Sequence, residues 1–227
     1  MYEGLDERYR IYTELGQDGK FFLRLFCIDP SHCLAECLEK GRSSVFFSAT
    51  MLPILYYKRL LSGNVEDYAV YARSPFADER RLLLIASDVS SRYTRRNPAE
   101  YAKVVAYIRA LAMSHKGNYL VFFPSYQYMQ AVERQMAEAH DGSFTWRMQE
   151  GRMSEEEREA FLADFEEQRQ QSFVGLCVLG GIFSEGIDLK EERLEGAIIV
   201  GTGLPMVCTE QKVLQSYFKE QGENGYD

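Results

Sequence analysis

The sequence lacks several features that define common classes of protein. It has no apolar run approaching the roughly 20 residues that a membrane-spanning helix needs. Its start, MYEGLDERYR, has neither the apolar core nor the small-residue cleavage site of a secretory signal. These absences argue against a membrane or secreted protein, and we expect an intracellular, cytoplasmic one.

The phosphate-binding loop of many ATP-hydrolysing enzymes is also missing. No G-x-x-x-x-G-K-[ST] string occurs, and the nearest one, at residues 16–21, has the wrong spacing and lies in a predicted hairpin. The string Ala137–His140 looks like the Asp-Glu-Ala-His box that holds magnesium, but its first position is an alanine. We therefore expect neither a complete hydrolysis site nor a metal site in this sequence.

Cysteine is scarce, and its spacing does not indicate disulfide pairs. The chain has five cysteines, an odd number that suits a reducing compartment. Three of them crowd around one histidine, in the order Cys27, His32, Cys33 and Cys37. Zinc and iron–sulfur sites are typically built from close ligand pairs, and neither a C-x-x-C pair nor a second ligand pair is present. We favour buried, inert thiols over a metal site.

Positive charge is scarce overall but concentrated locally. The net charge is −8, which argues against a protein that coats nucleic acid over its whole surface. Residues 73–109 nevertheless carry eight basic and four acidic side chains, so this segment is net positive. Such a segment fits a polyanion contacted at one place, with Arg92, Arg95 and Arg96 as candidates. Ordinary solvated surface remains the alternative.

Apolar periodicity predicts a hairpin followed by alternating strands and helices. The predicted strands are Arg10–Leu15, Phe21–Ile28, Ser44–Phe47, Leu82–Ala86, Tyr119–Phe123, Phe144–Arg147, Phe173–Leu179 and Ala197–Gly201. Helices are predicted after Pro30, over Pro53–Leu61, from Asn97, over Ser125–Ala139, from Ser154, and over Thr209–Phe218. Helix caps are predicted at Ser31, Asn97 and Ser154, with Glu100 and Glu157 reaching back to the cap amides of the last two.

This order predicts an α/β fold, with a mainly parallel sheet that carries helices on both faces and follows a short N-terminal hairpin. In such sheets ligands bind in the loops after the carboxyl ends of strands. The loops of interest therefore follow Phe47, Phe123 and Leu179.

The loop Gly180–Leu189 has the most distinctive pattern. Its two leading glycines let the backbone turn tightly beside a ligand. Glu185 and Asp188 place two carboxylates around the flexible Gly186. Carboxylates repel phosphate, so they suit hydrogen bonds from ribose hydroxyls or ion pairs with arginines that neutralise phosphate.

Several segments together resemble the XPD/DinG family of superfamily 2 DNA helicases. Gly180–Leu189 with Glu195–Pro205 is similar to the fifth helicase motif of that family. Lys116–Val132 resembles the fourth motif, Ser43–Met51 the third, and Gln149–Phe165 the linker between the fourth and fifth. The resemblance implies the second of two RecA-like motor domains, with ATP held between the domains and single-stranded DNA lying across both.

The resemblance also implies roles for individual residues. Ser48 and Thr50 would couple nucleotide state to DNA binding, with Ser48 on the DNA and Thr50 in catalysis. Ser125 and Tyr126 would contact the DNA backbone. The nucleotide side of the site would be lined by the loop residues Glu185, Gly186 and Asp188, with both carboxylates in catalytic roles. Simpler alternatives stay open: Ser125 caps its helix, and Thr50 merely ends a strand.

The expected organisation follows from the same resemblance. Residues 1–70 would be the return from an arch inserted in the first motor domain, and residues 71–227 the second domain, ending before the family's last arginine motif. ATP and Mg²⁺ would act in the full-length helicase, moving 5′ to 3′, and any iron–sulfur cluster would belong to the first domain. By itself the chain would be inactive. A non-catalytic nucleic-acid or protein docking module on a degenerate helicase fold is the alternative.

Overall fold

The computed structural model describes residues 6–16, 18–139, 141–203, 208–220 and 222. Gln17 of the predicted turn, His140 of the magnesium-box lookalike and the end of the Glu195–Pro205 motif lie outside the described residues. The chain divides into two units, Met1–Leu82 with Met206–Asp227 and Leu83–Pro205, and each is described by itself. The division into residues 1–70 and 71–227 stays a prediction.

The described elements follow the predicted order for most of the chain. They are β1 (Tyr9–Leu15), β2 (Phe21–Cys27), α1 (Ser31–Leu38), α2 (Ile54–Leu61), α3 (Pro98–Ser114), β3 (Asn118–Phe123), α4 (Tyr126–Glu138), β4 (Phe144–Met148), α5 (Glu155–Ala163), β5 (Ser172–Val178), β6 (Gly196–Ile199) and α6 (Thr209–Glu220). Within the described ranges, no helix is both long enough and apolar enough to cross a membrane.

The predicted N-terminal hairpin is confirmed. β1 and β2 pair antiparallel, from Tyr9 opposite Cys27 to Leu15 opposite Phe21. In the same unit, α6 contributes two acidic partners to β1. The Arg10 guanidinium lies 3.0 Å from a Glu220 carboxylate oxygen, and the Tyr12 hydroxyl donates to the Glu210 carboxylate. The hairpin is thus tied to residues about 200 positions away in sequence.

Two predicted strands, Ser44–Phe47 and Leu82–Ala86, are wrong. Neither segment forms a strand, and their apolar side chains are exposed: Phe47 is 91% and Ile85 85% accessible. A strand needs a neighbour for its backbone hydrogen bonds, and no other described strand lies beside either segment. The apolar composition of these two segments is therefore typical of strands, but it does not predict that they pair with one.

Two helix-cap predictions also need correction. Asn97 caps α3 as expected, accepting from the Glu100 amide, but the Glu100 carboxylate does not reach back to it. That carboxylate instead accepts from the Ser90 amide at 2.8 Å, which lowers the pKa of Glu100. Ser31 is the first residue of α1, and its cap position is occupied by Pro30. The capping box predicted at Ser154 is confirmed on both sides.

The second unit contains a four-stranded parallel sheet in the order β4-β5-β3-β6. Side chains of alternate residues leave opposite faces of each strand. One face packs against α3 and α4, and the residues of that core include Val104, Ile108, Tyr128, Met129, Val132, Val121, Phe123, Val174 and Leu176. The other packs against α5, around Leu120, Phe161, Phe165, Phe173, Cys177 and Phe183. The predicted α/β architecture is confirmed.

The cysteines differ in their surroundings. Cys177 lies inside β5, where burial raises the pKa of its thiol to about 12 and keeps it unreactive at neutral pH. The expectation of buried thiols is wrong for Cys33 and Cys37, which are exposed. They lie on α1, a helix none of whose residues is buried.

Gly175 shows how tightly α5 packs on the sheet. A Cβ atom added there would lie 2.7 Å from the end of the Phe165 ring, 3.1 Å from Leu120 Cδ2 and 3.2 Å from the end of the Phe161 ring. These three side chains are themselves buried, so they have little room to move. Glycine is therefore needed at this strand position for packing.

We predict that Gly175→Ala lowers the free energy of unfolding by about 1–3 kcal/mol, because the added methyl group overpacks the α5 face of the sheet. The matched control is Gly196→Ala in β6. A Cβ there would meet the Tyr119 ring at an ordinary 3.5 Å, so we expect a change within about 0.5 kcal/mol. Chemical denaturation of both variants measures the difference, and equal stabilities would contradict the packing argument.

Candidate functional site

The segments at the carboxyl edge of the sheet carry half of the predicted site residues. Ser125 and Tyr126 follow β3, and Gln149 follows β4 directly. The segment Gly180–Leu189 follows β5, and Gly201 follows β6. Because all four strands are parallel, these loops leave the same edge.

The loop Gly180–Leu189 is anchored by apolar side chains. Phe183 is fully buried, and its ring stacks on Phe161 of α5 with centroids 4.4 Å apart and planes 26° apart. Ile187 and Leu189 pack against the same core. The Ser184 hydroxyl donates to the Val178 carbonyl at 3.1 Å, which closes the start of the loop.

Between these anchors the predicted polar residues are exposed. Glu185, Gly186 and Asp188 all face solvent, and Gly186 adopts a positive φ of 71°. That conformation favours glycine, so the residue between the two carboxylates has a backbone reason to be glycine. Asp188 forms an exposed ion pair with Lys190, with the two atoms 3.0 Å apart. The arrangement leaves both carboxylates accessible to a ligand.

Ser125 and Tyr126 already have partners in the protein. The Ser125 hydroxyl accepts from the Tyr128 amide at 3.3 Å, so the capping role left open by the sequence is real. The Tyr126 hydroxyl accepts from Gln149 Nε2 at 2.8 Å and donates to the Glu150 carbonyl at 3.3 Å. Partial burial raises the pKa of Tyr126.

Gln149 is a site residue that our sequence reasoning did not select. Its side chain is buried, and its amide oxygen accepts from the Val178 amide at 3.0 Å. It therefore connects the ends of β4 and β5 with Tyr126, the first residue of α4. The available signal was a lone amide two residues after the predicted strand Phe144–Arg147, inside the segment that resembles the helicase linker.

In the basic segment, Ser91 lies beside Gly201, which follows β6. Arg96 lies over the Tyr128 ring, 4.4 Å from its centroid, and its Nε donates to the Ser91 carbonyl at 3.3 Å. Arg95 lies 3.7 Å from the buried Glu100 carboxylate, and Arg92 is exposed. Arg96 thus has a structural contact, whereas Arg92 and Arg95 keep exposed guanidinium groups.

Ser48 and Thr50 belong to the first unit and are both exposed. The Thr50 amide donates to the Ser48 hydroxyl at 3.2 Å, and the two hydroxyl oxygens are 3.4 Å apart. Because Ser44–Phe47 is not a strand, Thr50 does not end one. Over the described part of the chain, no group of three His, Cys, Asp or Glu residues could hold a metal ion.

Comparison with known proteins assigns the family. A family model described as the helicase C-terminal domain matches residues 108–227, which is more than half of the chain. The chain belongs to the helicase C-terminal domain family. The match covers α4, β5, the loop Gly180–Leu189 and β6, so the edge described above lies within the family's own domain.

Individual relatives agree with this assignment. Over 229 residues the helicase domain is 24% identical to the ATP-dependent DNA helicase CHL1 of Scheffersomyces stipitis, covering 90% of this chain and 27% of the relative. Over 214 residues it is 25% identical to the transcription and DNA repair factor IIH helicase subunit XPD/RAD3 of Saccharomyces cerevisiae, covering 89% of this chain and 27% of the relative. The resemblance drawn from the motifs is confirmed.

The chain therefore spans about a quarter of the length of these curated relatives. A solved structure described as apo XPD superposes with a TM-score of 0.45 at 21% identity, over 58% of this chain and 26% of that one.

We predict that Arg96 stabilises the helicase domain while Arg92 does not. Arg96→Ala removes a cation–π contact and a hydrogen bond, and should lower the free energy of unfolding by about 1–2 kcal/mol. Arg92→Ala, four residues earlier on the same segment, should change it by less than about 0.5 kcal/mol. Thermal or denaturant unfolding of the two variants makes the comparison, and an Arg96→Ala protein as stable as the parent would contradict the structural role.

Proposed function

We propose that this chain is the second motor domain of an ATP-dependent DNA helicase that moves 5′ to 3′ on single-stranded DNA. In this proposal it contributes one wall of the ATP cleft and part of the DNA track. The observation that carries the proposal is the exposed Glu185–Asp188 turn on an anchored carboxyl-edge loop, in a chain of the helicase C-terminal domain family. The helicase activities of the named relatives support it.

The nucleotide role rests on the chemistry of the two carboxylates. Glu185 and Asp188 are exposed, and only Asp188 has a described ion-pair partner, the equally exposed Lys190. An exposed carboxylate repels a triphosphate but accepts strongly from ribose hydroxyls. We therefore assign Asp188 to the ribose, with Glu185 and the Gly186 backbone beside it. In the helicase, Thr50 would act in catalysis.

The DNA role rests on the basic and hydroxyl groups of the same edge. Arg92 and Arg95 offer exposed guanidinium groups, and phosphate contacts by such groups dominate binding to nucleic acid. We assign the DNA backbone to these arginines together with Ser125, Tyr126 and, from the first unit, Ser48. Arg96 would shape this surface more than it would bind phosphate, because its guanidinium already stacks on Tyr128.

The chemistry of hydrolysis would need groups beyond this chain. Mg²⁺ would accompany the ATP phosphates, because no three His, Cys, Asp or Glu side chains of the described residues are grouped so that they could hold a metal ion. The sequence also has no phosphate cradle. We therefore expect activity only when this chain acts together with a first motor domain.

We predict that Asp188→Ala, in a helicase polypeptide that includes this chain, lowers DNA-stimulated ATP turnover by roughly ten- to a hundred-fold. That is the size expected from losing a hydrogen bond to a charged group, about 1.5–3 kcal/mol. The melting temperature should be unchanged, because an exposed ion pair contributes little to stability. Steady-state ATPase assays and thermal melts measure the two effects.

The matched control is Lys190→Ala, which breaks the same ion pair but keeps the carboxylate. It should retain most of the turnover. Equal losses in the two variants would show that Asp188 merely braces the loop. Full turnover in Asp188→Ala would overturn the assignment of Asp188 to the ribose. Absence of DNA-stimulated turnover in the parent polypeptide would favour the alternative, a docking module that binds without catalysis.

We predict that single-stranded DNA binding by this chain is weak and falls steeply with salt. Arg92→Ala with Arg95→Ala should flatten the slope of log affinity against log salt by about 1.4, the value for two released counterions on a single strand. Lys116→Ala with Arg134→Ala removes two exposed charges away from the carboxyl edge, and should leave the slope near that of the parent. Fluorescence anisotropy with a labelled oligothymidine gives both slopes, and equal slopes would move the DNA contact elsewhere.

A further inference from the structure

Gln149 continues the hydrogen bonding to β5 where the pairing of β4 with β5 ends. The last paired residues are Met148 and Leu176, and the Gln149 amide still donates to the Leu176 carbonyl at 2.8 Å. The next donor on β5 is the Val178 amide, which is buried. It donates to the Gln149 side-chain oxygen at 3.0 Å, so a side chain supplies the acceptor that would otherwise be missing.

The other end of the same amide group faces Tyr126. Gln149 Nε2 donates to the Tyr126 hydroxyl oxygen at 2.8 Å. Because that oxygen accepts from Gln149, the hydroxyl hydrogen must point away from Gln149. It is directed to the Glu150 carbonyl over a long 3.3 Å, or to a better acceptor such as a phosphate oxygen. Gln149 thus sets the direction in which Tyr126 can donate.

The loop that follows β5 rests on the same amide group. A Cβ atom added at Gly181 would lie 2.9 Å from the Val178 carbonyl oxygen, 3.1 Å from Gln149 Nε2 and 3.3 Å from Gln149 Oε1. The Gly181 backbone therefore approaches the face of the amide closely. Any displacement of the start of the loop must either move Gln149 or open a gap beside it. Since Gln149 is only 3% exposed, water cannot easily fill that gap.

We propose that the Gln149 amide transmits the position of the loop Gly180–Leu189 to the Tyr126 hydroxyl, and is a positioning residue for the contact with DNA. The inference rests on the proposed function, because it takes Tyr126 to donate to a phosphate. Loop, amide and hydroxyl form one chain of contacts, from Gly181 through Gln149 to Tyr126. A loop shifted by bound nucleotide would turn the amide and so redirect the hydroxyl.

The test is a set of double-mutant cycles on this chain, with binding of a labelled oligothymidine measured at low salt and folding checked by thermal melting. Tyr126→Phe removes the hydroxyl. Gln149→Met removes both hydrogen bonds. Gly181→Ala pushes the Gln149 amide and the Val178 carbonyl from the loop side without deleting any polar group. Gly151→Ala is the matched control, since a Cβ there would meet nothing within 4 Å. Gln149→Met and Gly181→Ala are each also made in the Tyr126→Phe background.

We expect Tyr126→Phe, Gln149→Met and Gly181→Ala each to weaken binding by up to about tenfold. In the Tyr126→Phe background, Gln149→Met and Gly181→Ala should cost nothing further, because they act through the hydroxyl. Gly151→Ala should bind like the parent. If Gln149→Met does not fold, Gly181→Ala alone decides the matter.

Two other results separate the possible failures. If Tyr126→Phe weakens binding but the other changes weaken it equally in both backgrounds, or not at all, the transmission through Gln149 is overturned and the DNA contact stands. The other result is that Tyr126→Phe binds like the parent, while Arg92→Ala with Arg95→Ala still flattens the salt slope. Tyr126 is then not a DNA contact, and the inference fails with that assignment. Loss of binding through a purely structural effect would appear as equal losses in both backgrounds.

Discussion

The complete burial of β5 is the constraint around which the carboxyl edge is arranged. Helices cover both faces of the sheet, so each backbone amide and carbonyl of this strand needs a partner inside the protein. β3 pairs with β5 from Phe173 to Val178, whereas the pairing of β4 with β5 ends at Leu176. Beyond that residue the Gln149 side chain accepts from Val178. A side chain thereby completes the pairing that a shorter strand leaves open, and the loops of the candidate site begin from this closed end.

Most of the second unit could be predicted because its signals are local. The Asn97 cap, the capping box at Ser154 and the apolar spacing of α3 are all contained within one or two helical turns. The failures at Ser44–Phe47 and Leu82–Ala86 have a common physical cause. An apolar run indicates that a segment favours a pleated, buried setting. Whether a neighbouring strand is present to provide that setting depends on distant parts of a protein, and no pattern within the segment records it.

The candidate site was predictable to a different degree. The pair of leading glycines and the carboxylates of Glu185 and Asp188 could be found, since a loop after a parallel strand faces the ligand-binding edge. The partners of the polar groups could not. Tyr126 and Gln149 are 23 residues apart. Arg96 and Tyr128, which are also in contact, are separated in sequence by the whole of α3, by β3 and by the start of α4. A hydroxyl or guanidinium group satisfied inside the protein has the same sequence signature as one aimed at a ligand.

The loop after β5 combines an exposed, charged turn with buried residues that anchor it. Its charged turn is exposed around Gly186, while Phe183 is stacked on α5 and Gly181 lies against the Gln149 amide. Movement of the turn can be absorbed at the positive-φ glycines, Gly180 and Gly186, only until the packed side chains are reached. Larger movement must displace the Phe161 ring or the Gln149 side chain. Both belong to the segment between β4 and the end of α5, so that segment would receive the displacement from two directions and respond as a unit.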